Sequence, residues 1–200
     1  MRALVVVTLL GGVARAAVTF EAPEGWRPAL AEPPVVVAAV RDDPAGRALF
    51  AASVESAQGL PWLARPALAE LMGERMAAWA GGRLELRRTE AIAVGEFEVP
   101  RFEYEVHQGA ASDQRLVVYV VPAGRQVGVV TLRCPLVLLP AYRPMVERAL
   151  EKTAGMARID TRTPGAGGPR WRFVILGGAA VLLIVGLAVW AAWRLWRQWA

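Results

Sequence analysis

Residues 127–153 read VGVVTLRCPLVLLPAYRPMVERALEKT, and they place a strand signal directly before a helix signal. The first part is rich in valine, which is typical of a buried strand, and we expect that strand over residues 125–133. In the second part apolar residues recur at three- and four-residue steps: Tyr142, Met145, Val146, Ala149 and Leu150. That spacing predicts an amphipathic helix over residues 140–155, with Gly155 placed to end it.

Further strand signals precede this unit and are separated by turns. Apolar runs predict strands over residues 18–20, 35–40, 48–54, 83–94, 96–107 and 114–121. Asp, Pro and Gly at residues 42–46 form one turn, and Pro122-Ala123-Gly124 forms a hairpin loop. Strands that follow one another through hairpins indicate an antiparallel sheet.

A second helix is predicted in PWLARPALAELMGERMAAWAGG, residues 61–82. Its apolar face consists of Leu68, Leu71, Met72, Met76 and Trp79, and Gly81-Gly82 ends it. Two separate helices with an antiparallel sheet predict an α+β domain over residues 17–160, in which helices cover a central sheet.

The strand over residues 96–107 changes the phase of its apolar residues at Pro100. Phe97 and Val99 precede the proline on one face, whereas Phe102, Tyr104 and Val106 follow it in the opposite phase. Proline cannot donate a ladder hydrogen bond, so we expect a bulge or an edge position there.

Four segments together resemble the PsbP-like α/β/α sandwich superfamily: TFEAPEGW (19–26), EFEVPRFEYEVHQ (96–108), QRLVVYVVPAG (114–124) and residues 127–153. The superfamily includes the extrinsic photosystem II P subunit, bacterial DcrB-type lipoproteins, the yeast Ran-binding import factor and adaptor chaperones for type VI secretion effectors. The resemblance covers most of residues 18–160. It implies a layered fold and docking onto larger assemblies, and it carries no catalytic signature. A DcrB-type relative would use a lipid anchor, but this chain lacks the lipobox cysteine.

The first 16 residues have the layout of a secretory signal peptide. Arg2 precedes a dozen apolar or small residues, and Ala14 and Ala16 occupy the two positions that a signal peptidase reads. We expect cleavage after Ala16; the alternative is a buried first strand of a cytoplasmic domain.

Residues 173–193, FVILGGAAVLLIVGLAVWAAW, contain no charge and predict a transmembrane helix. As a helix they reach roughly 31 Å, about the thickness of a hydrocarbon core. A Pro/Gly linker, residues 161–172, precedes this span, and a short tail, residues 194–200, follows it. The arginine count alone would place the amino-terminal side in the cytoplasm, but the signal peptide argues for the opposite orientation. We therefore expect the domain outside the cytoplasm and the tail inside; without signal cleavage the chain would be a tail-anchored cytoplasmic adaptor.

Aromatic and basic residues at both ends of the span suit the lipid headgroup layer, where an indole is half buried and an arginine reaches phosphates. These membrane-interface residues are Trp171, Arg172, Trp190, Trp193, Arg194, Trp196, Arg197 and Trp199.

Charge argues against nucleic acid as a partner. The chain has a formal net charge of +5, but six arginines outside residues 17–169 account for more than this excess, so the domain itself is nearly neutral. The partners we expect are the lipid bilayer and an envelope protein.

No catalytic, cofactor or metal site is expected. The single histidine, His107, is predicted to be a solvent-exposed residue at a strand end, and the single cysteine, Cys134, a buried thiol. Paired carboxylates at Glu96/Glu98 and Glu103/Glu105 could bind a cation or form an acid/base pair, but they are more typical of the solvated side of a strand. The sequence thus favours a non-catalytic docking domain outside the cytoplasm. A hydrolase or metal-dependent enzyme that uses His107 with those carboxylates is the alternative.

Overall fold

The computed structural model describes residues 18–108 and 111–159, including the side chains of all but residues 111 and 112. The predicted signal peptide, linker, span, tail and the eight membrane-interface residues lie outside these ranges. Within them, no helix is long and apolar enough to cross a membrane.

The described chain forms one seven-stranded sheet in which each strand pairs antiparallel with its neighbours, in the order β1-β2-β3-β7-β6-β5-β4. The strands are β1 (Arg27–Pro28), β2 (Val35–Asp43), β3 (Gly46–Ser56), β4 (Arg83–Val94), β5 (Phe97–Gln108), β6 (Ala111–Ala123) and β7 (Gln126–Pro135). Helix α1 (Arg65–Ala80) follows β3, and helix α2 (Leu139–Glu151) follows β7 through a 3-10 turn (Leu136–Leu138). The predicted antiparallel sheet with two helices is confirmed.

Each helix covers a different face of the sheet, which creates two apolar cores. On the α2 side, Tyr142, Val146 and Leu150 pack with side chains that include Val130 and Leu132. On the α1 side, Leu68 and Met72 pack with side chains that include Phe102 and Tyr104. The central strands are buried on both faces, and this explains why β6 and β7 are continuous valine-rich runs rather than alternating ones. The architecture is a helix–sheet–helix sandwich.

The two faces account for the change of phase in β5. Val99 belongs to the α2-side core, whereas Phe102, Tyr104 and Val106 belong to the α1-side core. No register shift occurs at Pro100, so the prediction of a bulge at this position is wrong. Pro100 pairs with β4, and pairing with β6 begins only at Arg101, so the edge position is confirmed.

Three local predictions differ from the structure. Helix α2 ends at Glu151, because the backbone N–H of Lys152 already returns to the carbonyls of Ala149 and Leu150; Gly155 does not cap it. Residues 18–20 form a single bridge, Thr19 to Ala154, instead of a strand. The two-residue strand β1 was not predicted.

Both ends of the described chain lie at the same end of the sheet. Thr19 bridges to Ala154 after α2, and Ala157 bridges to Ala123 beside the β6–β7 turn. We call this the exit end. The opposite end, the far end, holds the β2–β3 turn, the 3-10 turn and the start of β4.

Candidate functional site at the far end

A cluster of charged side chains occupies the α2-side face of β4, β5 and β6 where α2 leaves the sheet uncovered. We call it the charged face; its members are Glu85, Arg87, Arg88, Glu90, Arg101, Glu103, Glu105, His107 and Arg115. The register explains their proximity, since Glu85 pairs with Glu105, and Glu105 pairs in turn with Arg115. Two carboxylates side by side would repel each other without nearby cations.

Arg87 and Arg115 supply those cations from opposite sides of Glu105. Arg87 is the extra residue in a bulge between Leu86 and Arg88, and it lies 2.8 Å from carboxylate oxygens of both Glu85 and Glu105. Arg115 lies 3.1 Å from Glu105 and 3.6 Å from Glu103. Glu103 and Glu105 keep only 15% and 11% of their side-chain surface exposed, so the prediction that they form the solvated side of the strand is wrong.

Arg101 connects the charged face to helix α2. Its guanidinium donates to Glu90 on β4 and, at 2.5 Å, to Glu147 on α2. Burial is the largest single influence and opposes the charge on Arg101, but the hydrogen bond to Glu147 and the charges of Glu147 and Glu90 together outweigh it and raise the pKa of Arg101. Burial likewise opposes the charge of Glu90, yet Arg101 and Arg88 lower the pKa of that carboxyl. These pairs are charge-assisted hydrogen bonds that fix the geometry of the face.

His107 sits within this network. Its Nε2 lies 3.1 Å from Glu85 and 4.0 Å from Glu105, and the side chain is 32% exposed. His107 lies at the end of β5, as predicted, but it is half-buried between carboxylates, which corrects the prediction that it is solvent-exposed. The arginines already satisfy both carboxylates, and residues 18–108 and 111–159 contain no group of three or more His, Cys, Asp or Glu side chains able to hold a metal ion.

Cys134 lies opposite Arg115 in the pairing of β6 with β7. It is fully buried in the α2-side core, as predicted. Burial, reinforced by the negative charge of Glu103, raises the pKa of the thiol to about 12. The thiol therefore stays protonated at neutral pH and is a poor nucleophile.

Exposed apolar side chains stand around the same end of the sheet. We call them the apolar rim: Val137 (70% exposed), Leu136 (45%), Leu86 (44%) and Trp79 (40%). Trp79 was predicted in the core face of α1, but its side chain in the last turn of the helix is exposed, so that part of the prediction is wrong. Leu136 and Val137 belong to the 3-10 turn, and no periodicity in the sequence separates them from the buried residues on either side.

Hydrogen bonds from two strands fasten the end of α1 at the rim. The carbonyl of Ala80 accepts from Arg133 at 2.9 Å and from Gln108 at 2.8 Å. A guanidinium at this position also complements the negative end of the helix dipole. A Cβ on Gly82 would come within 2.5 Å of the carbonyl oxygen of His107, so the chain passes closely from α1 into β4. The end of α1 that carries Trp79 is thus fixed to two strands.

The chain matches no family model and no curated protein sequence. Its fold is similar to solved structures. The solution structure of cyanobacterial PsbP (CyanoP) from Synechocystis sp. PCC 6803 has a TM-score of 0.51 and 16% identity, covering 74% of this chain and 98% of that one. LpqN of Mycobacterium tuberculosis, described as involved in cell envelope biogenesis, has a TM-score of 0.50 and 12% identity, covering 74% and 88%. A protein of unknown function from Pseudomonas aeruginosa, PA94, has a TM-score of 0.46 and 16% identity, covering 70% and 96%. The first two likenesses support a PsbP-like fold for the described domain.

Proposed function

We propose that this chain is a membrane-anchored domain outside the cytoplasm that binds another envelope protein and catalyses no reaction. The predicted signal peptide and the charge-free run at residues 173–193 support the location and the anchor. The structural likeness to LpqN, a protein involved in cell envelope biogenesis, is consistent with an envelope role.

The observation that carries the binding role is the apolar rim beside the charged face. Large apolar side chains on a soluble domain usually stay buried, and exposed groups of them often mark sites of protein association. Trp and Arg are also enriched in protein interfaces, where an apolar centre is bordered by polar groups. The far end combines the exposed Trp79, Leu136 and Val137 with the half-exposed Arg87 near the start of β4, so it has the composition of a docking surface.

The same network supports a role without catalysis. A general base must be able to accept a proton, and a metal site needs several unengaged ligands. In the charged face each carboxylate near His107 lies within 3.1 Å of an arginine nitrogen. This arrangement is typical of a structural ion-pair network.

Site-specific photocrosslinking in native membranes tests the docking surface. A photoreactive residue at position 137 is expected to give one specific adduct with an envelope protein, and Leu136→Asp is expected to abolish it. The matched control is position 74, where Glu74 is exposed on the outer side of α1; it is expected to give no such adduct. Equal adducts from both positions, or none from position 137, would contradict the proposal.

Catalysis remains the competing function, because the imidazole of His107 lies 3.1 Å from the carboxylate of Glu85. A His107→Ala variant separates the two functions. A docking domain would keep the crosslink from position 137 and its cellular role in this variant, whereas an enzyme that uses His107 would lose its function.

A further inference from the structure

The two most exposed large apolar side chains in the described part of the chain are both at the exit end. Leu30 is 87% exposed and Leu63 is 84% exposed. Leu30 lies in the loop between β1 and β2, and Leu63 lies in the loop between β3 and α1. Both loops connect elements that begin or finish at the exit end, because the start of β2 pairs with the end of β3, and the end of β3 pairs with the start of β7.

Basic and aromatic side chains also lie at the exit end. Trp62 is half-buried beside Leu63, and the guanidinium of Arg65 lies 5.7 Å from the centre of its ring. Exposed arginines occupy the β6–β7 turn, at Arg125, and the exit segment, at Arg158. Acidic residues such as Glu32 and Glu98 offset part of this charge. The exit end is therefore amphipathic and has no strong excess of either sign.

The chain continues from Ile159, which packs against the α1-side core at this end. Residues 161–170 extend at most about 35 Å, at roughly 3.5 Å per residue. The predicted span begins at residue 173. A connection of this length would keep the exit end within a short distance of the bilayer that the span enters. Apolar loop tips with nearby Trp and Arg suit the headgroup layer, where apolar groups are buried and guanidinium groups meet phosphates.

We infer that the exit end is a lipid-contacting surface, in which Leu30 and Leu63 insert into the headgroup region of the bilayer. This inference rests on the proposed membrane anchor. Insertion at two loops would hold the domain in one orientation on the membrane and leave its far end accessible. The contact is apolar rather than electrostatic, so it does not require anionic lipid.

Fluorescent labels on the full-length protein test the inference. The protein is reconstituted at one copy per nanodisc of phosphatidylcholine, which removes a second copy as an occupant. Leu30→Cys, Leu63→Cys and Val137→Cys each receive an environment-sensitive label. The native Cys134 is fully buried, so the unsubstituted protein is the control for unwanted labelling. All three positions are at least 70% exposed, so these substitutions do not disturb a core.

The expected result is that labels at positions 30 and 63 are quenched several-fold more by a lipid-borne quencher than by an aqueous one, while the label at position 137 shows the reverse. Equal aqueous quenching at all three positions in loaded discs would overturn the lipid contact and leave the anchor intact. Failure of the protein to enter the discs would overturn the proposed anchor and the inference that rests on it.

Discussion

Arg101 shows how a single residue joins the layers of the domain. It pairs with Glu90 on a strand and with Glu147 on helix α2, and only 11% of its side chain is exposed. Arg88 also pairs with Glu90, but 59% of its side chain is exposed. Because a pair contributes more where solvent does not screen it, these two arginines should differ in effect although they share a partner.

We expect Arg101→Met to lower the free energy of unfolding by about 2 kcal/mol, since it removes charge-assisted hydrogen bonds from partly buried partners. The matched variant Arg88→Met is expected to have little effect, because exposed pairs contribute at most about 1 kcal/mol. Urea denaturation of residues 17–160 measures both variants. Equal losses from the two would show that the link to Glu147 contributes nothing.

Glu90 should give the domain part of its sensitivity to acid. Its pKa is lowered from 4.5 in the folded state, so the carboxylate stabilises the fold fully above pH 4.5, and this contribution is lost as pH falls through the lower folded value. The difference in stability between wild type and Glu90→Gln should therefore be largest above pH 4.5 and shrink below it. Urea denaturation at a series of pH values measures the difference, with the exposed Glu96→Gln as the control. A difference in stability between wild type and Glu90→Gln that stays constant down to pH 2 would refute the contribution assigned to the Glu90 carboxylate.

At the level of elements, the sequence was most informative where burial is periodic. The face of α1 up to Met76 and the two phases of β5 follow from the spacing of apolar residues, and the end of α1 follows from the glycine at position 81. The end of α2 was misjudged because Gly155 looks like a cap, although the chain leaves the helix earlier to form the bridges at Ala154 and Ala157. Such long-range pairing leaves no local signal.

The candidate site was harder to predict for the same reason. Glu103 and Glu105 alternate with apolar residues as solvated strand residues do, and only the neighbouring strands bring Arg87 and Arg115 to them. Leu136 and Val137 continue an apolar run, and their exposure depends on the 3-10 turn that lifts them away from the sheet. The residue types could be read from the sequence, but their burial and their partners depend on how the strands pair in the folded domain.

Gly128 on β7 tests the packing between elements. A Cβ there would approach Phe20 to 2.2 Å, and Phe20 is buried in the α2-side core. We expect Gly128→Ala to destabilise the domain by about 1–3 kcal/mol through overpacking. In a Phe20→Leu background the same substitution should cost less, which a double-mutant cycle by urea denaturation measures. Strictly additive effects would show that Phe20 does not press on this strand.

For the whole molecule, the two ends of the domain carry different surfaces. The exit end carries both ends of the described chain together with Leu30 and Leu63, and the far end carries the apolar rim and the part of the charged face around Glu85 and Glu105. The proposed docking role and the proposed lipid contact therefore use different surfaces. The docking role depends on which side of the membrane the domain occupies, since a tail-anchored adaptor in the cytoplasm would have the same fold and a different set of partners.

A pair of reporters fused after Ala200 tests most directly which side of the membrane the domain occupies. The tail at residues 194–200 is proposed to lie in the cytoplasm, so alkaline phosphatase fused there should be inactive and a fluorescent protein that folds only in the cytoplasm should be bright. A control fusion of phosphatase directly after residue 160, without the span, should be active. An active phosphatase after Ala200 with a dark fluorescent partner would contradict the proposed location of the domain.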